Sequence, residues 1–213
     1  MIIAVDGPAA SGKGTVARAL AKHYRLPHLD TGLLYRAVAE NVHRLDLDPT
    51  KEADAFAASN FDDSLLDDPV LRSDEAGQRA SIVSAHPLIR AALLQRQRKF
   101  AHQEGGAVLD GRDIGTVIAP DADAKLFVKA TPQIRARRRH TELKARGSTL
   151  SLDKVLADIR LRDQRDMGRD AAPLVMAVDA GILDTSFLSI EAAVKRAIEL
   201  VERQVQLRAA ANR

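Results

Sequence analysis

The chain has 213 residues, a formal net charge of +3 and no cysteine. That suits one domain with room for a mobile insert, and it excludes disulfides and Cys-based zinc sites. With 46% hydrophobic and 29% charged residues the make-up is that of an ordinary globular protein, and the 3% aromatic content argues against a stacking platform for single-stranded nucleic acid. The apolar start MIIAV is shorter than a signal peptide and no stretch approaches a membrane span. A monomer in the cytoplasm, with no membrane or nucleic-acid partner, is expected.

Short apolar runs alternate with longer helical stretches, which predicts an α/β fold with a central parallel sheet flanked by helices. Strands are predicted at Ile2–Val5, near His28–Leu29, and at Ala107–Leu109, Lys125–Val128 and Ala180–Leu183. Helices are predicted over Gly14–Tyr24, Gly32–Leu45, Ser73–Ala85, Leu88–Gln103, Pro132–Arg146, Leu152–Met167 and Ile190–Leu207. Thr131 before Pro132 reads as a helix cap, and Pro87 as a separator of two helices. Residues 46–72 are acidic and weakly periodic, and read as a surface insert. The Arg-rich stretch 135–150 ends in RGSTL and reads as a lid with its hinge. The expected division is a core of 1–45, 73–134 and 170–213, an insert of about 46–72, and a lid with its following helix at about 135–169.

The strongest single motif follows the first strand. Gly7, Pro8, Ala9, Ala10, Ser11, Gly12, Lys13, Gly14 and Thr15 sit between an apolar run and a helical pattern, the context of a phosphate-cradling loop. Glycines let successive N–H groups turn inward, the helix N-terminus adds positive potential, and Lys13 reaches the outer phosphates. The strict pattern has Ser or Thr directly after the lysine, whereas here Gly14 precedes Thr15. Whether Thr15 meets Mg²⁺ directly, through water, or binds phosphate instead stays open, and no protein metal ligand is assigned.

Charges also fall where a core would be expected. The helical stripe Leu152, Val155, Leu156, Ile159 continues into Arg162, Asp166 and Arg169. Charges on a continuing core face must be paired or face a ligand. The strand ending in Asp110, Gly111, Arg112, Asp113 places two carboxylates and a guanidinium where parallel sheets gather ligands, although a hairpin turn is the plainer alternative. Thr31 opens a helix, where a cap is the plainer reading, with Arg36 just over a turn further on. The run Arg135, Arg137, Arg138, Arg139 is read as a lid supplying cations to a transferring phosphoryl group, though not all four can face one ligand.

Taken in order, GPAASGKGT, LDTGLLYRAV, IRAALLQRQRKF, DGRDIGTV, RARRR, RDQRDMGRDAAPL and LDTS resemble the bacterial cytidylate kinases over nearly the whole chain. The resemblance implies a P-loop nucleoside monophosphate kinase fold with an acceptor-binding insert and an Arg-rich lid. It also implies ATP as donor, Mg²⁺ as cofactor, and CMP or dCMP as acceptor in pyrimidine nucleotide metabolism. Gly7 to Thr15 would hold ATP. Thr31, Arg36, Arg112 and Arg169 would surround the acceptor phosphate; Ser81, Arg90 and Asp113 would read the base; Arg162 and Asp166 would hold the ribose region. Lys13, Arg36, Arg112 and the lid residue Arg137 would supply charge during transfer, and Asp110 would orient a water of the metal shell. A carboxylate accepting from the exocyclic amine of cytosine is also the chemically expected pairing. Between Thr31 and Ser81 the chain is shorter than in many bacterial members, with the usual β-hairpin part reduced. Another small-molecule P-loop kinase would share the cradle without needing the Asp113–Arg90 pocket, and a nucleic-acid-dependent NTPase would use the basic run instead.

Overall fold

The run Ile2–Asp6 forms β1, and it is almost wholly buried because strands flank it on both edges and helices cover both faces. In the computed structural model, which describes residues 1–211, β1 pairs with β3 (Ala107–Gly111) and β4 (Ala124–Lys129). The short β2 (His28–Asp30) lies outside β3, and β5 (Gly181–Asp184) lies outside β4. The order is β2-β3-β1-β4-β5 and every pairing is parallel, so all carboxyl ends share one edge. The hairpin alternative at Asp110–Asp113 is excluded by this topology.

Helix α1 (Lys13–Tyr24) and the last helix, α8 (Ile190–Ala211), cover one face of the sheet. Val16, Ala17, Leu20 and Ala21 of α1 meet Ile3, Val5, Leu126, Leu183, Ala197 and Val201 in a common core. Burying each large aliphatic side chain there contributes about 1.5–3 kcal/mol. On the other face Ala101, at the end of α5 (Pro87–Ala101), packs with Leu109, Ile114 and Ile118. Ile114–Ile118 makes a single π-helical turn immediately after the DGRD segment. Pro87 is the first residue of α5, where its missing N–H costs nothing.

Helices α2 (Thr31–Arg44), α3 (Glu52–Ala57), α4 (Asp74–Val83) and α5 form a second cluster around Leu34, Val38, Ala55, Val83, Ile89 and Leu93. Residues 46–72 are less of a surface excursion than their composition predicts. Ala55, Ala58, Leu65 and Leu71 are buried. The aspartates act as local caps: Asp62 accepts from Ser64 N and Asp68 from Val70 N, both at 2.9 Å, each opening a 3-10 segment. A 3-10 segment has neither helical nor strand periodicity, which is why the pattern there is weak. No strand lies between β2 and β3 among the described residues.

The Arg-rich stretch forms a helical hairpin of α6 (Pro132–Ala145) and α7 (Leu152–Gly168), joined through Gly147 at φ 85. Thr131 caps α6 as predicted, accepting from Ile134 N at 3.4 Å. Few apolar residues hold the pair: Ala136, Leu143, Val155 and Ile159 are buried, with Ala10 of the loop after β1 packed against them. Among the described residues no helix is long and apolar enough to cross a membrane.

Candidate active site

The loop from Gly7 to Gly12 leaves β1 at the carboxyl edge and turns directly into α1. A Cβ on Gly7 would collide with the carbonyl of Val128, so only glycine passes there. Gly12 at φ 89 and Ala10 at φ 57 are left-handed, and turn the backbone inward. Pro8 is buried, Ala9 and Ala10 are half-buried, and Ser11 is fully buried with a hydroxyl that has no hydrogen-bond partner. Lys13, Gly14 and Thr15 form the first turn of α1, all half-buried. Burial pushes Lys13 down to about 8; Arg112 pushes the same way, and Asp110 and Asp30 pull back.

Opposite this loop the arginines converge. Arg112 Nε donates to Asp166 Oδ2 at 2.7 Å. Burial works against the charge of each, yet the pair wins: Arg112 is held above its ordinary value and Asp166 below the usual carboxylate range. Arg162 is pushed down to about 9, first by burial and then by Arg112, with Asp166 opposing. Burial also lowers Arg36, with Arg139 and Arg112 adding to it and Asp30 opposing. Arg36 donates to the carbonyls of Leu71 at 2.6 Å and Ser73 at 3.1 Å, and a Cβ on Gly77 would stand 3.1 Å from its Nη2. Arg169, just past the end of α7, is lowered by burial and donates through Nε to Ala172 O at 2.8 Å. Arg162 Nε and Arg169 Nη2 are buried without a protein partner, which for donor-only groups marks a place for anions.

Thr31 is not the cap of α2. Asp30 caps it, accepting from Gly32 N at 2.9 Å, while Thr31 Oγ1 donates to Asp110 O at 2.9 Å and joins α2 to the end of β3. Asp110 is buried, with Oδ1 2.8 Å from His28 Nε2.

A second polar cluster lies beside the arginines. Arg90 Nη2 donates to Asp113 Oδ2, Nη1 donates to Ser84 O at 3.2 Å, and the guanidinium sits 5.3 Å from the Tyr35 ring centroid. Asp113 therefore pairs with Arg90, and the neighbouring Arg112 with Asp166. Ser81 is buried and its hydroxyl accepts from Arg165 Nη1 at 3.2 Å.

Arg137 lies two residues from Arg135, roughly 200° around the helix, and is exposed. The arginines that reach the phosphate loop are its neighbours. Arg135 donates to Ala9 O at 3.2 Å and holds Asp163 bidentately at 2.9 and 2.6 Å. Arg138 donates to Thr185 Oγ1 at 2.9 Å and to Ser11 O at 3.4 Å. Arg139 turns to Asp74 at 2.6 Å. An i, i+3, i+4 reading from Arg135, whose side is marked by Ala136 and Leu143, would have found this face.

Asp6 was not singled out from sequence either. Its carboxylate accepts from Ile114 N and Gly115 N, both at 2.8 Å, fastening the turn after Asp113 to the strand that ends at the phosphate loop. Burial pushes it up to about 7 against the pull of those two N–H groups. The signal was an acidic residue ending an otherwise apolar strand.

The family model described as cytidylate kinase matches residues 3–203. A cytidylate kinase from Xanthobacter autotrophicus is 57% identical over 202 residues, covering 95% of this chain and 97% of the relative. One from Cereibacter sphaeroides is 57% identical over 208 residues, covering 96% and 97%. Another, from Rhodopseudomonas palustris strain TIE-1, is 55% identical over 203 residues, covering 95% and 96%. A solved structure of an uncharacterized protein from Eubacterium ventriosum shares the fold at TM-score 0.55 and 16% identity, covering 95% of this chain and 98% of that one. On the extent and level of these matches, the chain belongs to the cytidylate kinase family.

Proposed function

We propose that the protein transfers the γ-phosphoryl group of ATP to the phosphate of CMP, and of dCMP, with the donor held by the Gly7–Thr15 loop. The observation that carries this reading is the convergence of Lys13, Arg36, Arg112 and Arg162 at the carboxyl edge of the sheet, beside the Arg90–Asp113 pair and Ser81. Two polyanions must be brought together, and their repulsion is the main obstacle. Fixed cations that need no reorganisation supply that stabilisation.

In the transfer, an oxygen of the acceptor phosphate forms a bond to the γ-phosphorus as the bond to the departing ADP oxygen breaks in line with it. The acceptor is already ionised, so no general base is required. Arg36, Arg112 and Arg169 would hold the acceptor phosphate, Arg162 and Asp166 the ribose region, and Ser81, Arg90 and Asp113 the base edge. Lys13 and the lid residues Arg135 and Arg138 would draw charge from the transferring group.

Among the described residues no group of three or more His, Cys, Asp or Glu side chains could hold a metal ion alone. The oxygen donors Thr15 and Asp110 fit a magnesium ion arriving with the nucleotide, Thr15 by its hydroxyl and Asp110 through water. Bound there, Mg²⁺ would screen the phosphate charge.

A coupled assay with CMP, dCMP, UMP and AMP as acceptors tests the reading. The highest kcat/KM is expected with CMP, followed by dCMP. A preference for AMP would overturn it.

A further inference from the structure

His28 lies on β2 in register with Val108 of β3, while Asp110 is two residues further along β3 in register with Asp30. Diagonal neighbours two apart project from the same face of a sheet, which brings the imidazole to the carboxylate. The contact is short: Nε2 to Oδ1 is 2.8 Å, with Asp110 2% exposed and His28 18% exposed. An ionised carboxylate only accepts, so Nε2 carries the hydrogen. Oδ1 is thereby committed. Oδ2 points the other way, and lies 3.5 Å from where a Cβ on Gly14 would stand, at the first turn of α1.

The terminal torsion of an aspartate is broad and roughly two-fold, so an untethered carboxylate would not hold one orientation. We infer that His28 is a positioning residue: it locks the plane of Asp110 so that Oδ2 faces the phosphate loop, ready to accept from a water of the nucleotide-bound metal. This rests on the reading of Asp110 given above and adds a residue outside the cradle to the machinery that holds Mg²⁺. Groups that orient metal-site carboxylates in this way commonly change metal affinity by about tenfold or more when removed.

Four variants serve the test. His28→Phe keeps a ring but loses the donor; His28→Leu replaces it if the phenyl ring prevents folding, as judged by thermal melting. His28→Gln keeps an amide donor of similar reach. Asp110→Asn reports on the carboxylate itself. The direct readout is Mn²⁺ retention in the complex with a non-hydrolysable ATP analogue, by electron paramagnetic resonance. Binding of the analogue in EDTA and the KM for CMP serve as controls.

His28→Phe is expected to weaken Mn²⁺ retention about fivefold or more, with metal-free nucleotide binding and the KM for CMP within about twofold of the parent. His28→Gln should restore most of the loss. Unchanged retention in His28→Phe, or a His28→Gln variant as poor as His28→Phe, would overturn the positioning role. If Asp110→Asn itself leaves Mn²⁺ retention unchanged, the placement of Asp110 in the metal shell fails, and this inference fails with it. That result is distinct from a failure of the CMP kinase reading, which the acceptor assay decides.

Discussion

Arg90 and Asp113 form a buried ion pair that joins α5 to the end of the DGRD segment, with the guanidinium stacked over Tyr35. Removing one member of such a pair leaves the other charged and unpaired, at a cost of about 3–5 kcal/mol. A lower melting temperature in Asp113→Ala is therefore expected under any role for this residue. Specificity is what discriminates. Uridine has a carbonyl where cytosine has its amine, so a carboxylate that reads the base favours cytosine. Asp113→Ala should lower kcat/KM for CMP at least about tenfold and narrow the preference over UMP, since an unsatisfied buried group costs about 1–3 kcal/mol. An unchanged CMP-to-UMP ratio, alongside the loss of stability, would leave Asp113 as only a structural partner of Arg90.

Much of the framework was legible because each element carried its own local signal. Gly7, Gly12 and Lys13 announced the loop, Thr131 and Pro132 the start of α6, and the apolar runs all five strands to within two residues at either end. What stayed hidden depends on three-dimensional neighbours. Which arginine of 135–139 faces inward follows from helix phase, and α6 has few apolar residues to mark that phase. The pairing of Arg112 with Asp166, 54 residues away, is set by the packing of α7 and by no local spacing. Asp6 and His28 lie in strands, where a polar residue reads as an edge or an end. Their partners, Ile114 and Gly115 in one case and Asp110 in the other, are chosen by sheet order.

The exposure of Arg137, beside an Arg138 that reaches the phosphate loop, has a direct consequence. Arg137→Ala should leave kcat within about threefold of the parent, as for an ordinary exposed substitution. Arg138→Ala should lower kcat at least about tenfold, because removing one fixed cation from a phosphoryl-transfer site costs several kcal/mol. Steady-state kinetics with CMP at saturating ATP checks this, and an effect of Arg138→Ala as small as that expected of Arg137→Ala would remove Arg138 from the transferring phosphoryl group.

Arg139 of α6 reaches Asp74 at the start of α4, and Arg146 donates to Arg72 O at 2.7 Å. These contacts tie the α6–α7 hairpin to α4 and the residues just before it through partly exposed groups, each contributing about 1 kcal/mol or less. Tryptic cutting of the free protein is expected near Lys144 and Arg146, beside Gly147. Asp74→Ala should speed that cutting, and ATP together with CMP should slow it. A cutting rate indifferent to both Asp74 and ligands would mean that the hairpin does not move as a lid.

Lys13 supplies the sharpest test of the donor site. Its folded value of about 8 lies below the ordinary 10.5, chiefly from burial and then from Arg112. Between those two values the unfolded chain binds more protons than the folded one, so this group's contribution makes stability rise with pH across the window. Triphosphate at the loop reverses the balance: its charge favours ammonium and raises the folded value again. Near about pH 8.5 the γ-phosphate is already ionised, so ATP binding should take up a fraction of a proton from solution, and it is Lys13 that gains it. Titration calorimetry in buffers of different ionisation enthalpy measures that uptake, which should shrink towards neutral pH, where Lys13 is already charged. Lys13→Ala should abolish it and lower turnover at least about a hundredfold, while folding persists because the side chain is only half-buried. Uptake that survives in Lys13→Ala would assign the proton to another group, and turnover falling less than about tenfold would remove Lys13 from the transferring phosphoryl group.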